Sequence, residues 1–296
     1  MPHCEGALQQ SWETRRACGM LCARLDGHMA APSSQAENSV AGTAAFSKFM
    51  RVLQLVADSP EPIGIAELTR ATGYPRPTVH RMVAALQAER MVVEVGNTRC
   101  WTLGPRLVQL ASRSWSRSGL RMAAVDALRA LRDATGETIH FAVPSGQSMV
   151  YIEKLESPSA VQMSSRIGTS VNLYSTAVGK AYLAALAPQA AAALMAQLAY
   201  EPLTAQTVGN AEALQVQVDA VRAQGWSTDA QENEEGIYCF GAAVLGPDGS
   251  PVAAISVSTL LFRQKADVQA AYIQPLLHAS RSIAQQLAQN PNLVHG

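Results

Sequence analysis

Between residues 46 and 86 the apolar positions fall at helical spacing in three successive runs. Phe46, Phe49, Met50, Leu53, Val56 and Ala57 keep a three-or-four rhythm, which predicts a supporting helix. Ile65, Leu68 and Ala71 repeat it over a shorter stretch closed by Gly73, since glycine takes a positive φ at little cost. Val79, Met82, Val83 and Leu86 give a third apolar face. Arg76 precedes a proline and is biased away from the α region, while Pro77 suits a first helical turn, so the third helix is expected to begin at about Pro77. The pattern then changes: Met91 to Val95 and Cys100 to Leu103 are β-prone runs around Gly96, Asn97, Thr98 and Arg99. Three helices with a tight turn between the second and third, followed by a ribbon, are the layout of a winged helix-turn-helix.

Downstream, the stretch GPRLVQLASRSWSRSG reads as a linker helix that ends at Gly119, with Leu107, Leu110 and Ala111 on one side. A helix over Leu120–Thr135 follows, then alternating Ile139, Phe141, Val143 and Val150, Ile152 around Pro144, Ser145 and Gly146, which predicts a β-hairpin. Helices are expected over Thr176–Ala185, Gln189–Ala199, Ala211–Gln224 and about Asp267–Gln289. Between the last two lie strands from Cys239 to Leu245 and Val252 to Thr259, joined by a Gly246-Pro247-Asp248-Gly249 turn. Hairpin-paired strands among helices, without a dinucleotide-binding glycine fingerprint, indicate an α/β sensor-type domain. The expected divisions are an N-terminal extension over 1–44, a winged helix-turn-helix over 45–104, a linker helix over 105–119 and an effector-binding domain over 120–292.

Charge sharpens the picture. The chain has 23 basic and 23 acidic residues, but eleven and five of them fall between 45 and 122, against nine and fourteen between 123 and 296. A basic module is joined to an acidic one, and phosphate contacts need only local positive charge. With 48% hydrophobic residues and no apolar run of eighteen, the chain reads as a globular protein of the cytoplasm without a membrane span. The first 44 residues lack periodicity and a signal-peptide core, and are expected to be disordered; Met1, Met20 and Met29 are alternative starts. Cys4, Cys18, Cys22, Cys100 and Cys239 make an odd set in a core-rich chain, which fits a reducing compartment better than a disulfide framework. Cys18 and Cys22 with His3 or His28 lack finger spacing, so no metal or other cofactor is implied.

The candidate chemistry is of recognition. Arg76, Thr78, His80 and Arg81 lie on the polar face near the N-terminus of the third helix, where side chains reach base edges and phosphates, and Arg99 stands at the ribbon tip. Ser175 to Lys180 open a helix, so unpaired N–H groups and the helix dipole offer a seat for an anion. The Gly179-Lys180 pair lacks the first glycine and the Ser/Thr of a phosphate loop, which excludes nucleotide binding of that type. Ser256 and Ser258 alternate along a strand and present two hydroxyls to one side; their alternative role is to satisfy buried backbone groups. Cys239 with His140, or Ser175 with a histidine and Asp229, lack a nucleophile elbow or metal motif, so no enzyme is expected. Glu232, Glu234 and Glu235 read as a solvated loop beside Asp229. The competing classes are a winged-helix protein-interaction module and a small-molecule enzyme without DNA binding.

Three separated motifs in order, ELTRATGYPRPTVHRMV, YSTAVGKAYLA and GWSTDAQENEEGIYCFGAAVLGPDGSPVAAISVS, make the chain resemble the IclR family of bacterial transcriptional regulators from Phe46 to Gln289. The resemblance implies a winged helix-turn-helix that binds a double-stranded operator, a dimerising linker helix, and a GAF-like α/β domain that senses a small organic acid. It also implies homodimers that pair into tetramers, and control of catabolic operons by repression or activation. On the family's pattern Met163, Val171, Ala177, Val178, Asp229, Ile237, Cys239, Ser256 and Ser258 fall at effector-contact positions. Cys239 as a small buried hydrophobe is the alternative for that residue.

Overall fold

The computed structural model describes residues 43–290 and 293. The N-terminal extension expected over 1–44, with its alternative starts and Cys4, Cys18 and Cys22, lies outside the described residues except for its last two positions. The elements all fall in the compact unit Ala45–Gly296, apart from the first helical residue.

Helices α1 (Ala44–Asp58), α2 (Ile65–Thr72) and α3 (Arg76–Ala88) enclose a small core with a three-stranded sheet of β1 (Ile63–Gly64), β2 (Val92–Glu94) and β3 (Cys100–Leu103), in the order β1-β3-β2. This is the winged helix-turn-helix, with β1 an addition the sequence pattern did not disclose. The core takes Val79, Met82, Val83 and Leu86 from α3 as expected, but from α1 it takes Val52, Leu53 and Val56. Phe46 and Met50 are 67% and 44% exposed, because a three-helix module buries only a narrow stripe of its first helix. The third helix begins at Arg76, one residue before the expected start. The Pro75 carbonyl accepts N–H bonds from Thr78 (2.8 Å) and Val79 (3.1 Å), which draws Arg76 into the first turn ahead of Pro77.

The linker helix α4 (Pro105–Arg117) does not end at Gly119. Ser118 instead caps α5 (Gly119–Thr135), its hydroxyl accepting the Arg121 N–H at 3.3 Å. Gly119 is needed for close approach, since a Cβ there would stand 2.5 Å from Leu293 Cα.

The rest is a six-stranded antiparallel sheet in the order β6-β5-β4-β9-β8-β7, formed by β4 (Thr138–Ser145), β5 (Ser148–Leu155), β6 (Ser170–Asn172), β7 (Ser227–Ala230), β8 (Ile237–Leu245) and β9 (Pro251–Leu260). The short strands β6 and β7 have too few residues to show a period and were not expected. One sheet face packs on α5 and the C-terminal helix α9 (Gln274–Gln289), burying Ile139, Phe141, Ile255, Val257, Leu128 and Ile283. The other face carries α6 (Ala177–Ala185), α7 (Pro188–Met195) and α8 (Ala211–Gln224). Helix α7 stops at Met195, short of Ala199. The last helix opens with a π-turn over Gln269–Ile273, just ahead of Pro275, whose missing N–H and ring disfavour regular α-helical bonding there. Among the described residues no helix is long and apolar enough to cross a membrane.

Candidate functional site

The N-terminal half of α3 presents Arg76, His80 and Arg81 to solvent and Thr78 half-buried, directly opposite the apolar residues sunk in the core. Gly73 (φ 71°) closes α2 and the turn through Tyr74 and Pro75 swings the chain into α3. In the wing, Arg99 is exposed at φ 56°, with its N–H donated to Glu94 Oε1 at 2.9 Å. The backbone of the tip is thus fixed while the guanidinium stays free to reach outward. Arg81→Ala is expected to weaken binding to a specific duplex by about 1 to 3 kcal/mol per subunit with no change in melting temperature. A gel-shift titration at physiological salt checks this; unchanged retention removes Arg81 from the reading face.

The second site lies between the sheet and α6. A cavity of about 180 Å³ is lined by all nine residues placed at effector-contact positions, Met163, Val171, Ala177, Val178, Asp229, Ile237, Cys239, Ser256 and Ser258. Strand register explains how distant residues meet. Asp229, Cys239 and Ser258 are successive partners across β7, β8 and β9, and Ser256 sits beside His140 of β4 in the next row of that face. Met163 and Val171 close the cavity from the segment after β5 and from β6, which pairs along that strand.

Helix α6 reaches this floor because Gly241 of β8 leaves room for it. A Cβ on Gly241 would stand 2.6 Å from the Ala177 carbonyl oxygen, which instead accepts the Ser227 hydroxyl at 2.6 Å. The Thr176 side chain caps the helix by accepting the Gly179 N–H at 3.2 Å. The N–H groups of Ala177 and Val178, in the first turn and at the cavity wall, have no intrahelical acceptor.

His140, Tyr151 and Ser165 also line the cavity and were not among the expected contacts. His140 Nδ1 is 3.2 Å from the Ser258 hydroxyl, Nε2 is 2.8 Å from the Ser165 hydroxyl, and the ring stacks on Tyr151 at 4.4 Å. Burial, with the Lys154 charge as a smaller contribution, holds the His140 pKa down at about 3, so the ring is neutral. A neutral imidazole has one donor and one acceptor, so one serine gives a proton to the ring and the other receives one. Ser258 is therefore already engaged, whereas among the described residues the Ser256 hydroxyl has no hydrogen-bond partner. Lys154 Nζ ties down the segment that carries Ser165 by donating to the carbonyls of Met163 (2.7 Å) and Ser165 (2.6 Å). Cys239 and His140 form no nucleophile–base pair: burial pushes the thiol pKa up, and both ring nitrogens face serines.

Asp229 turns the loop after β7, its Oδ1 accepting the N–H groups of Glu232 (2.8 Å) and Asn233 (3.2 Å). Burial raises its pKa to about 6 against these bonds, so it is mostly ionised at neutral pH. The acidic run that follows is not uniformly solvated. Glu234 and Glu235 are exposed, but Glu232 is buried and pairs with the buried Lys180 of α6 at 2.5 Å, while Lys180 also donates to Gln217 Oε1 at 2.8 Å. A buried loop carboxylate facing a lysine 52 residues away leaves no signal in local charge pattern.

Residues 113–285 match the model of the bacterial transcriptional regulator IclR C-terminal domain, and residues 46–96 match the IclR helix-turn-helix domain. The chain belongs to the IclR family. Its relatives in that family include the HTH-type transcriptional regulator KdgR of Dickeya chrysanthemi, 32% identical over 240 residues, which are 81% of this chain and 78% of that one. The transcriptional repressor IclR of Escherichia coli is 26% identical over 71% of this chain and 77% of its own length. Among solved structures, the Thermotoga maritima IclR aligns with a TM-score of 0.65 at 26% identity, covering 82% of this chain and 98% of that one. An IclR homologue from Microbacterium hydrocarbonoxydans, solved with 4-hydroxybenzoate, shares the fold at a TM-score of 0.70 and 20% identity, over 83% of this chain and all of the other. IclR-family proteins are DNA-binding transcriptional regulators rather than enzymes.

Proposed function

We propose that this regulator controls a catabolic operon from the cytoplasm by binding a pseudo-palindromic operator as a dimer or tetramer, and that a small organic acid in the α6 cavity sets its activity. The recognition helices would then lie roughly 34 to 36 Å apart, or a multiple of that, on the duplex. One observation carries the effector reading: the start of α6 and the Ser256 hydroxyl face a single cavity of about 180 Å³, sized for a small molecule and not a nucleotide. A carboxylate takes the first-turn N–H groups and Ser256, where the helix dipole favours negative charge. Asp229 repels a second anionic group and accepts a hydrogen bond, so a hydroxyl or similar donor on the acid faces that side. Met163, Val171 and Ile237 supply the apolar wall. A bound 4-hydroxybenzoate in a distant homologue is an acid of the kind proposed, and aromatic, hydroxy and keto acids form the first panel.

Thermal-shift screening of that panel finds the acid, since a ligand at a hundred times its Kd stabilises by about 2.7 kcal/mol. Calorimetry on the full chain then compares the parent with a Ser256→Ala, Ser258→Ala double variant. The double variant is expected to lose more than about tenfold in affinity for the acid, because hydrogen bonds to charged groups contribute about 1.5 to 3 kcal/mol each. DNA binding should persist. Undiminished affinity for the acid in the double variant refutes the pocket assignment.

A further inference from the structure

Helix α1 carries a feature outside both sites. Lys48 and Arg51 are three residues apart, hence neighbours on one helix face, and both are exposed. Both heads approach the same ring: Lys48 Nζ is 5.7 Å and Arg51 Cζ 5.8 Å from the centroid of Tyr74. Tyr74 occupies the turn between α2 and α3, two residues before Arg76, which begins the recognition helix. Two cations are thus gathered at one point beside the α3 N-terminus, although among the described residues no carboxylate forms an ion pair with either. The acids of α1 and α2 are otherwise placed: Asp58 accepts from Gln54 at the far end of α1, and Glu67 Oε2 accepts the Gly64 N–H.

The ring's negative face offsets part of the repulsion between the two cations and holds both without neutralising them. Such a pair still lacks an anion. We propose that Lys48 and Arg51, presented by the Tyr74 ring, form a phosphodiester-binding site that seats the DNA backbone beside the recognition helix. The site reads no base. It fixes the register in which Arg76, Thr78, His80 and Arg81 meet the groove, which is the usual division between backbone and base contacts. The proposal rests on the reading of α3 as the groove-facing helix.

The test needs no operator. Full-length parent and a Lys48→Gln, Arg51→Gln variant are titrated onto a 30-base-pair duplex of arbitrary sequence between 50 and 200 mM KCl, with fluorescence anisotropy as readout. Each phosphate that the variant no longer neutralises should flatten the slope of log K against log salt by about 0.9, so a variant that loses the one phosphate seated here should be shallower by about 0.9 per protomer. A second duplex of unrelated sequence should show the same change. The charge-preserving exchange Lys48→Arg, Arg51→Lys should keep the parent's slope. Parallel salt lines for parent and glutamine variant overturn the proposal, and so does a charge-preserving exchange that flattens the slope as much as glutamine does, because the pair would then only brace α1 against the turn. No duplex binding by the parent at 50 mM would sink the α3 reading along with it, which separates the two failures.

Discussion

Lys180→Met is expected to destabilise the protein by about 3 to 5 kcal/mol, because removing one member of a buried ion pair strands the other. Lys180 and Glu232 are 1% and 4% exposed, and their charges meet at 2.5 Å between α6 and the loop after β7. Glu232 Oε2 is buried without a hydrogen-bond partner, so the carboxylate depends on Oε1 and on the lysine. A Lys180→Met, Glu232→Leu double variant removes the stranded charge and should recover most of the loss, since apolar replacements for buried pairs are often neutral. Urea unfolding of the two single variants and the double gives the coupling directly. A single-variant loss below about 1 kcal/mol would mean that water reaches Glu232 and that the pair does not pin the loop. The same loop is bonded to Asp229 and carries Asn233 and Glu234 to the cavity, so loosening it should also weaken binding of the acid.

Gly241→Ala is expected to cost about 1 to 3 kcal/mol in stability and to abolish the response to the acid. The added methyl would stand 2.6 Å from both the Ala177 carbonyl oxygen, which is backbone, and the Ser227 hydroxyl, which is buried and bonded to the Ala177 and Gly241 carbonyls. Relief comes most easily by lifting the first turn of α6 from the sheet, which carries the Ala177 and Val178 N–H groups away from Ser256. DNA binding by α3 should be untouched. Retained calorimetric affinity for the acid in this variant would show that the helix start does not hold the ligand.

Much of this architecture was legible from period alone. The alternation through Ile255, Ser256, Val257 and Ser258 places serines and aliphatics on opposite sheet faces, and the structure has them so. The apolar face of α3 was legible for the same reason: four residues at helical spacing all reached the core. Features made by long-range contact were not. His140 sits in an apolar strand, and its partners Ser258 and Ser165 lie 118 and 25 residues away. Glu232 looked like one more charge in an acidic run until Lys180 came to meet it. Phe46 and Met50 kept a core-like spacing but face outward, because periodicity gives the width of an apolar stripe and not which part of it finds a neighbour. The family resemblance supplied the cavity-lining set as a group, while the neutral imidazole between its serines came only from geometry.

Strand β9 has a consequence for how such a regulator changes over time. Its even-numbered residues from Ala254 to Ser258 face the cavity side, and its odd-numbered residues face the core shared with α5 and α9. On the proposed effector reading, a substitution at 256 or 258 alters what the cavity accepts without removing a methyl group from the opposite core, and one at 255 or 257 does the reverse. On that reading, ligand range and thermodynamic reserve are written in alternate letters of one strand, so new chemical preferences can be explored by single changes that leave the α5–α9 core intact.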